Sequence, residues 1–337
     1  MLKRFEGPRG QIHRLRHRSD VLVGNRPGDP TERDVLVYTP PGYSPSVSTN
    51  YPLLVDLIGY TGSGASHTNW KPFGQNVPER MDRLLAEGKI GPMIVAFPDC
   101  FTAFGGNQYI NSTGTGRYMD YLCDEIVPFV ESNFSVRPQA RGVFGKSSGG
   151  YGAMVHGMLR PDVWNAIASH SGDAYWEWLF LPVMPRLMNR LRAHDFDPVR
   201  LLTALHASEK LSSSDVDVLM TMGMAAHYDP DPSAPAGFQL PFDRSGRLRE
   251  DRWANWLAWD TARMVDKHGD AIRSLRGWYL DCGDEDQYNI HWGTQLIHES
   301  LDRQGIAHVY ESFHDNHSDV DYRMDVSLPW LSRVLGA

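Results

Sequence analysis

Apolar and polar residues alternate at the start of the chain and then give way to a different pattern. Residues 11–17 alternate, residues 34–38 form an apolar run, and a turn-rich stretch with Gly24, Pro27, Gly28 and Pro30 lies between them. Alternation of this kind is typical of strands with one buried face, and Gly and Pro clusters mark the turns between strands. Residues 11–38 therefore predict an antiparallel hairpin.

Beyond residue 42, short apolar runs alternate with segments of helical periodicity. The predicted strands are 52–58, 92–97, 141–144, 165–169, 278–282 and 308–313; the predicted helices are 77–87, 117–134, 148–160, 291–304 and a last one from about 319, disturbed at Pro329. Strands that are apolar on both faces are typical of parallel sheets covered by helices. We therefore predict an α/β fold with a mostly parallel central sheet flanked by helices.

Residues 173–270 interrupt this alternation. They contain seven prolines and five of the ten tryptophans, and they are far longer than an ordinary connection between elements. We predict a core formed by residues 1–172 and 271–337, and a largely helical, Trp/Pro-rich insertion (cap) after the sixth core strand. Trp176 and Trp178 near its start are candidates for the substrate pocket. The alternative is a packed decoration with no role at the site.

Composition and charge exclude several classes of protein. The 337 residues are 41% hydrophobic and 22% charged, with 33 basic and 41 acidic residues and a net charge of −8. The sequence has no basic stripe of the kind that would indicate nucleic-acid binding. No apolar run approaches the ~18 residues of a membrane span. Residues 1–8 lack the apolar stretch of a secretory signal. Cys100, Cys123 and Cys282 form no C-x-x-C pair, so we expect reduced thiols and a cytoplasmic protein.

The most informative motif is G-x-S-x-G at residues 145–149, between a predicted strand and a predicted helix. This turn exposes a serine at a helix N-terminus, where a nearby backbone N–H can bind an oxyanion. We assign Ser147 as the nucleophile and the Ser148 N–H as one oxyanion donor. A phosphate-binding G-x-x-x-x-G-K-[ST] motif would need glycine at position 140, which is Ala140.

The acid and the base follow the next two strands in the order that an α/β-hydrolase requires. The turn after 278–282 holds Asp284, Glu285 and Asp286, of which we choose Asp286; Asp284 is second and Asp173 third. The loop after 308–313 holds the histidines at 314 and 317.

We choose His317 as the base because it lies just before the final helix, with His314 as the alternative. His314, Asp315, His317 and Asp319 also permit a metal interpretation, but their spacing matches no closed zinc pattern. The second oxyanion donor should come from the glycine-rich loop 59–64, and we assign the Tyr60 N–H.

Several segments carry a family resemblance: 33–43 (RDVLVYTPPGY), 105–112, 125–131, 145–150 (GKSSGG), 283–286 (GDED) and 317–318 (HS). The chain resembles the esterase-D-like family of α/β-hydrolases over roughly residues 10–172 and 275–336. That family includes S-formylglutathione hydrolases, feruloyl and acetyl-xylan esterases, enterochelin esterases and mycolyltransferases. The resemblance implies an α/β-hydrolase fold and a triad of Ser147, Asp286 and His317.

The chain departs from the family pattern at three positions beside the site. Lys146 replaces the usual histidine before the nucleophile, Ser148 replaces methionine after it, and Asn316 replaces glycine before the base. None of these changes removes a catalytic group. Together with the insertion, they prevent the family's substrates from being carried over, and they make Lys146 a candidate pocket residue.

These residues predict a serine carboxylic-ester hydrolase that forms an acyl-enzyme on a small to medium ester, with an aromatic or apolar group. No metal or organic cofactor is expected, and the expected partner is a small-molecule ester. The sequence leaves open a homo-oligomer, an acyltransferase using the same nucleophile, and a non-catalytic ligand-binding relative. A serine peptidase is a weaker alternative, since no propeller-like companion domain is apparent.

Overall fold

The computed structural model describes residues 5–45 and 50–337, so half of the N-terminal segment 1–8 lies outside the described residues. Eight strands form one sheet and two very short strands pair separately. In chain order the strands are β1 (Gln11–Arg18), β2 (Glu32–Thr39), β3 (Tyr51–Leu57), β4 (Ile94–Pro98), β5 (Asn111–Ser112), β6 (Gly116–Arg117), β7 (Val136–Lys146), β8 (Ala166–His170), β9 (Gly277–Gly283) and β10 (Val309–Phe313).

The large sheet has the strand order β1-β2-β4-β3-β7-β8-β9-β10. The pairs β1–β2 and β2–β4 are antiparallel, and every later pair is parallel. The predicted hairpin and the mostly parallel sheet are both confirmed. Because parallel strands share a direction, the carboxyl ends of β3, β7, β8, β9 and β10 meet at one edge, which is where α/β sheets place their ligands.

Helices cover both faces of the sheet. They are α1 (Val77–Ala86), α2 (Tyr118–Asp120), α3 (Val127–Asn133), α4 (Ser148–Leu159), α5 (Trp176–Leu179), α6 (Met184–Arg192), α7 (Pro198–His206), α8 (Ser213–Tyr228), α9 (Glu250–Leu257), α10 (Thr261–Lys267), α11 (Gly269–Ser274), α12 (Ile290–Arg303) and α13 (Met324–Leu335). Apolar side chains of α1 and α13 form the core on one face. Those of α3, α4 and α12 form the core on the other.

One predicted helix contains an irregularity that the hydrophobic pattern does not reveal. The predicted helix 117–134 is α2 and α3 joined by a wide helical turn, Tyr121–Ile126, in which the Val127 N–H donates to the Leu122 carbonyl five residues back. The next residue, Pro128, has no N–H to give, and wide turns commonly absorb such interruptions. Pro329, where a disturbance of the last helix was predicted, lies inside α13, which runs as one helix from Met324 to Leu335.

The insertion 173–270 follows β8, the sixth strand of the large sheet along the chain, and contains α5 to α10 and the first two residues of α11. Its buried side chains belong to the same hydrophobic core as α4 and α12. Trp176 contributes to this core: its ring stacks on Tyr228, with 5.4 Å between the ring centroids. No described helix combines the length and apolar character that a bilayer crossing demands.

Candidate active site

A sharp turn between β7 and α4 presents Ser147. The backbone of Ser147 has φ 57° and ψ −125°, a strained conformation for a residue with a side chain. Close packing maintains it: a Cβ on Gly149 would lie 1.8 Å from the Leu57 carbonyl oxygen, and one on Gly145 would lie 2.3 Å from the same atom. Because only glycine fits on either side, the serine is held at the N-terminus of α4, above the carboxyl edge of the sheet.

His317 and Asp286 form a buried hydrogen bond. His317 Nδ1 lies 2.7 Å from Asp286 Oδ2, and the Asp286 side chain is fully buried. The second carboxylate oxygen accepts the Tyr288 N–H at 2.8 Å, and the His317 N–H donates to Gln287 Oε1 at 2.9 Å. An ionised carboxylate only accepts hydrogen bonds, so Nδ1 carries the proton and Nε2 is left with a lone pair.

The alternative acids and the alternative histidine lie elsewhere. Asp284 pairs with His314 at 3.3 Å, and the His314 side chain is 82% exposed. Asp173 Oδ2 accepts hydrogen bonds from Gln108 and Ser148 rather than from His317. The structure therefore brings Asp286, of the three candidate carboxylates, to His317. The two histidines serve different carboxylates, an arrangement that does not suit the metal interpretation.

Ser147, His317, Tyr60 and Ser148 all line one cavity of about 470 Å³. Ser147 and His317, which are both described residues, form no hydrogen bond with each other. This is common for a nucleophile and its general base when no substrate is bound.

The loop after β3 approaches the nucleophile closely. A Cβ on Gly59 would lie 3.5 Å from Ser147 Cβ. The Thr61 N–H donates to the Gly105 carbonyl and the Gly62 N–H to the Gly59 carbonyl. Among the described residues, the Tyr60 and Ser148 N–H groups have no acceptor, so both are available to an oxyanion at the mouth of the turn.

The three candidate pocket residues have different outcomes. Lys146 lines the cavity, and burial lowers the pKa of its ammonium group. The prediction for Trp176 is wrong, because this side chain is buried in the core and its Nε1–H donates to the Trp256 carbonyl at 2.8 Å. The prediction for Trp178 is also wrong: it is 48% exposed and packs beside Trp292 outside the cavity lining.

The insertion reaches the cavity through other side chains. Leu179, Phe180, Val216 and Met220 form an apolar wall, to which Ile290 at the start of α12 adds. Val216 and Met220 are four residues apart on α8 and so share one helix face. This i, i+4 spacing is the only sequence signal that pointed to them.

Two further residues near the triad were not singled out from the sequence. The Gln108 side-chain amide donates to both Ser148 Oγ and Asp173 Oδ2, at 2.9 and 3.1 Å. The Tyr288 ring packs edge-on against His317, with 4.8 Å between the ring centroids. A glutamine after a glycine pair and a tyrosine after an acidic turn have no pattern that would predict these contacts.

An eight-stranded, mostly parallel sheet with a serine on a sharp strand-to-helix turn defines an α/β-hydrolase. The family model described as "Putative esterase" matches residues 29–325, and the chain belongs to this family of esterases and serine hydrolases.

Individual relatives share limited parts of the sequence. An endo-1,4-beta-xylanase/feruloyl esterase from Xylanibacter ruminicola is 30% identical over 144 residues, which is 41% of this chain and 19% of that protein. The chain thus spans less than a fifth of this relative.

Solved structures match over nearly the whole chain. A ferulic acid esterase superposes with a TM-score of 0.62 at 19% identity, covering 98% of this chain and 100% of that one. An S-formylglutathione hydrolase from Agrobacterium tumefaciens gives a TM-score of 0.60 at 17% identity, covering 99% of both chains. At these identities the matches establish the fold.

Proposed function

We propose that the protein is a carboxylic-ester hydrolase with the catalytic triad Ser147, His317 and Asp286. The observation that carries this proposal is the 2.7 Å hydrogen bond between His317 and the buried Asp286, in a cavity that the strained Ser147 also lines. These three residue types supply a nucleophile, a general base and an orienting carboxylate.

Acylation begins when Ser147 Oγ attacks the ester carbonyl carbon and His317 Nε2 takes the hydroxyl proton. The carbonyl electron pair moves onto oxygen, and the Tyr60 and Ser148 N–H groups donate to the resulting oxyanion. The tetrahedral intermediate then collapses, the bond to the alcohol oxygen breaks, and His317 returns its proton to that oxygen. Asp286 stabilises the imidazolium that exists between the two proton transfers.

Deacylation repeats these steps with water. His317 removes a proton from the water as it attacks the acyl carbon, and returns a proton to Ser147 Oγ when the acid leaves. Both half-reactions need only the triad, the two N–H groups and, for deacylation, water. This proposal therefore calls for no cofactor. An alcohol in place of water would make the same site an acyltransferase.

The size and lining of the cavity support a small to medium ester with an apolar arm. Its volume of about 470 Å³ lies at the lower end of the range typical for small-molecule pockets. The wall formed by Leu179, Phe180, Val216 and Met220 offers apolar contact area on the insertion side. We therefore infer that the insertion selects the substrate's arm, while the sheet edge performs the chemistry.

The test is hydrolysis of p-nitrophenyl esters from acetate upward by the wild type and by Ser147→Ala. We expect turnover by the wild type and background rates for the variant, with the chain-length profile reporting the length of the apolar pocket. A wild type that is inert on every ester contradicts the proposal. A Ser147→Ala variant that hydrolyses as fast as the wild type shows that the nucleophile is wrongly assigned.

A further inference from the structure

One carboxylate that faces the catalytic cavity beside Ser148 has no part in the proposed triad. Asp173 follows β8, is 4% exposed, and lines the same cavity as Ser147. Its Oδ2 accepts hydrogen bonds from Gln108 at 3.1 Å and from Ser148 at 3.2 Å. Among the described residues no group donates to its Oδ1. This buried side chain therefore presents one unpartnered acceptor to the space that the substrate enters.

Asp173 Oδ1 is not one of the fully buried unpartnered atoms of the described residues, so it stays open to the cavity until a substrate covers it. Burying a polar group is unfavourable unless the group finds a hydrogen-bond partner, and more so when the group is charged. Burial raises the pKa of Asp173 to about 6, so the group is largely ionised at neutral pH despite this cost. The cavity's lysines do not compensate this cost: Lys71 pairs with Asp321, and the pKa of Lys146 is lowered chiefly by burial, with Asp321 and Asp319 as the nearest opposing charges.

The surroundings of Asp173 restrict what its partner can be. The wall on the insertion side is apolar, with Leu179, Phe180 and Met220 facing the cavity. Asp217 also lines the cavity, but it is paired with Arg186. The lining as a whole is mixed, since it also includes Lys71, Lys146 and Asp321, but an acceptor in the same cavity as an apolar wall can fix the orientation of a ligand by one directed hydrogen bond. A partner that satisfies Oδ1 must bring a donor on an otherwise apolar arm.

We propose that Asp173 recognises a hydrogen-bond donor, a hydroxyl or a protonated amine, on the arm of the ester substrate. This inference rests on the proposed hydrolase function and names the substrate class: esters with an apolar arm that carries one donor group near the scissile carbonyl. Asp173 is then a specificity-determining residue that touches the substrate. A site built to hydrogen-bond a substrate OH or NH discriminates strongly against analogues that lack it, because the buried group is left without a partner.

The test compares methyl esters of equal chain length that differ in one group: plain alkanoates, the 2-, 3- and 4-hydroxy acids, and the corresponding amino acids. Release of acid is followed by pH-stat, and kcat/KM is expressed as the ratio of the donor-bearing ester to the plain ester. We expect a ratio of about tenfold to a hundredfold for at least one wild-type pair, the usual value of a hydrogen bond to a charged group. The hydroxy and amino series show which donor is preferred.

Asp173→Asn is the diagnostic variant, because the amide oxygen can still accept from Gln108 and Ser148 while its NH2 group replaces the free acceptor. The ratio should fall to about one in this variant. Asp217→Asn is the matched control, since this carboxylate lines the cavity but is already paired with Arg186. The control should keep the wild-type ratio even if its absolute rate changes.

The outcomes separate the inference from the function on which it rests. If the wild type hydrolyses plain esters and favours no donor-bearing ester, the inference is overturned while the hydrolase stands. If Asp173 acts only by positioning Ser148, the variant loses the same factor on every ester and the ratio is unchanged, which also overturns it. If the wild type hydrolyses no ester at all, the proposed function itself fails. The kcat/KM ratio of the wild type is enough to show whether a donor-bearing ester is favoured, so this outcome needs no variant.

Discussion

Replacing the triad carboxylate by its amide gives a large effect that can be worked from the geometry. In Asp286→Asn the amide oxygen can still accept the Tyr288 N–H, so the side chain keeps its place. The amide NH2 then faces His317 Nδ1, which must become an acceptor, and the proton moves to Nε2. The imidazole can no longer accept the Ser147 proton, and no negative charge remains to stabilise the imidazolium.

The magnitude follows from the separation and the burial. A carboxylate and an imidazolium about 4 Å apart, at an effective dielectric constant of ~20, attract each other by ~4 kcal/mol, which is about a thousandfold in rate. The unfavourable tautomer adds to this loss, and the corresponding change in a serine protease triad, a standard worked case, costs about 10⁴ in kcat. We therefore expect kcat/KM on a p-nitrophenyl ester to fall by about 10³ to 10⁴, mainly through kcat.

Asp284→Asn is the matched control, two residues away in the same turn. Asp284 is 48% exposed and pairs with a largely exposed His314, an interaction that contributes little in water. Its kcat/KM should stay within about twofold of the wild type, and circular dichroism should show both variants folded. If Asp284→Asn loses activity while Asp286→Asn stays within tenfold, the assignment of the acid is refuted.

Three further predictions follow from the packing and charge of the site. Gly149→Ala should abolish soluble, active protein because its Cβ would lie 1.8 Å from the Leu57 carbonyl oxygen. Gly74→Ala is the control and should be neutral, since its Cβ would lie 4.0 Å from the nearest atom, Lys71 Cδ. The yield of soluble protein and its esterase activity check this pair. The pKa of Asp173 is raised from 3.8 to about 6, so its contribution to stability is present below about pH 4 and is lost as pH rises through 6. In urea unfolding, the free energy of unfolding of Asp173→Asn should therefore rise relative to that of the wild type between pH 4 and pH 6, and the gain should reach roughly 3 kcal/mol by pH 8. The same difference in free energy of unfolding at pH 4 and at pH 8 would contradict the burial argument. When alcohols are added, the amount of transesterified product, measured by chromatography, should rise only in proportion to the alcohol concentration. More transesterification than hydrolysis at a low alcohol concentration would favour an acyltransferase.

The sequence predicts the frame of the molecule because hydrophobic period and glycine sterics are local properties. Strands that are apolar on both faces appear as short runs, and every strand predicted for the sheet is present. Gly145 and Gly149 are required by contacts with the neighbouring strand, so the motif that contains them identifies the turn of Ser147. β7, in contrast, begins at Val136 rather than at 141, because its first residues are polar and pair at an irregular register.

Tertiary contacts of single side chains are less predictable. Three carboxylates follow strand ends, and only the three-dimensional path of the turn after β9 brings Asp286, rather than Asp284, to His317. Trp176 and Trp178 illustrate the limit of composition: the number of aromatic residues in the insertion does not say which of its side chains face the cavity, because that depends on helix packing. Leu179 and Met220 reach the cavity, whereas Trp176 fills the core.

The most direct test of the account is to trap the acyl-enzyme. Rapid mixing with p-nitrophenyl acetate, acid quenching and peptide mass spectrometry should find one acetyl group on the peptide that contains Ser147, formed at the rate of the p-nitrophenol burst. Ser147→Ala should show neither adduct nor burst. An acetyl group on another residue, or turnover by the wild type with no covalent adduct at any time, would contradict the assignment of Ser147 as the nucleophile.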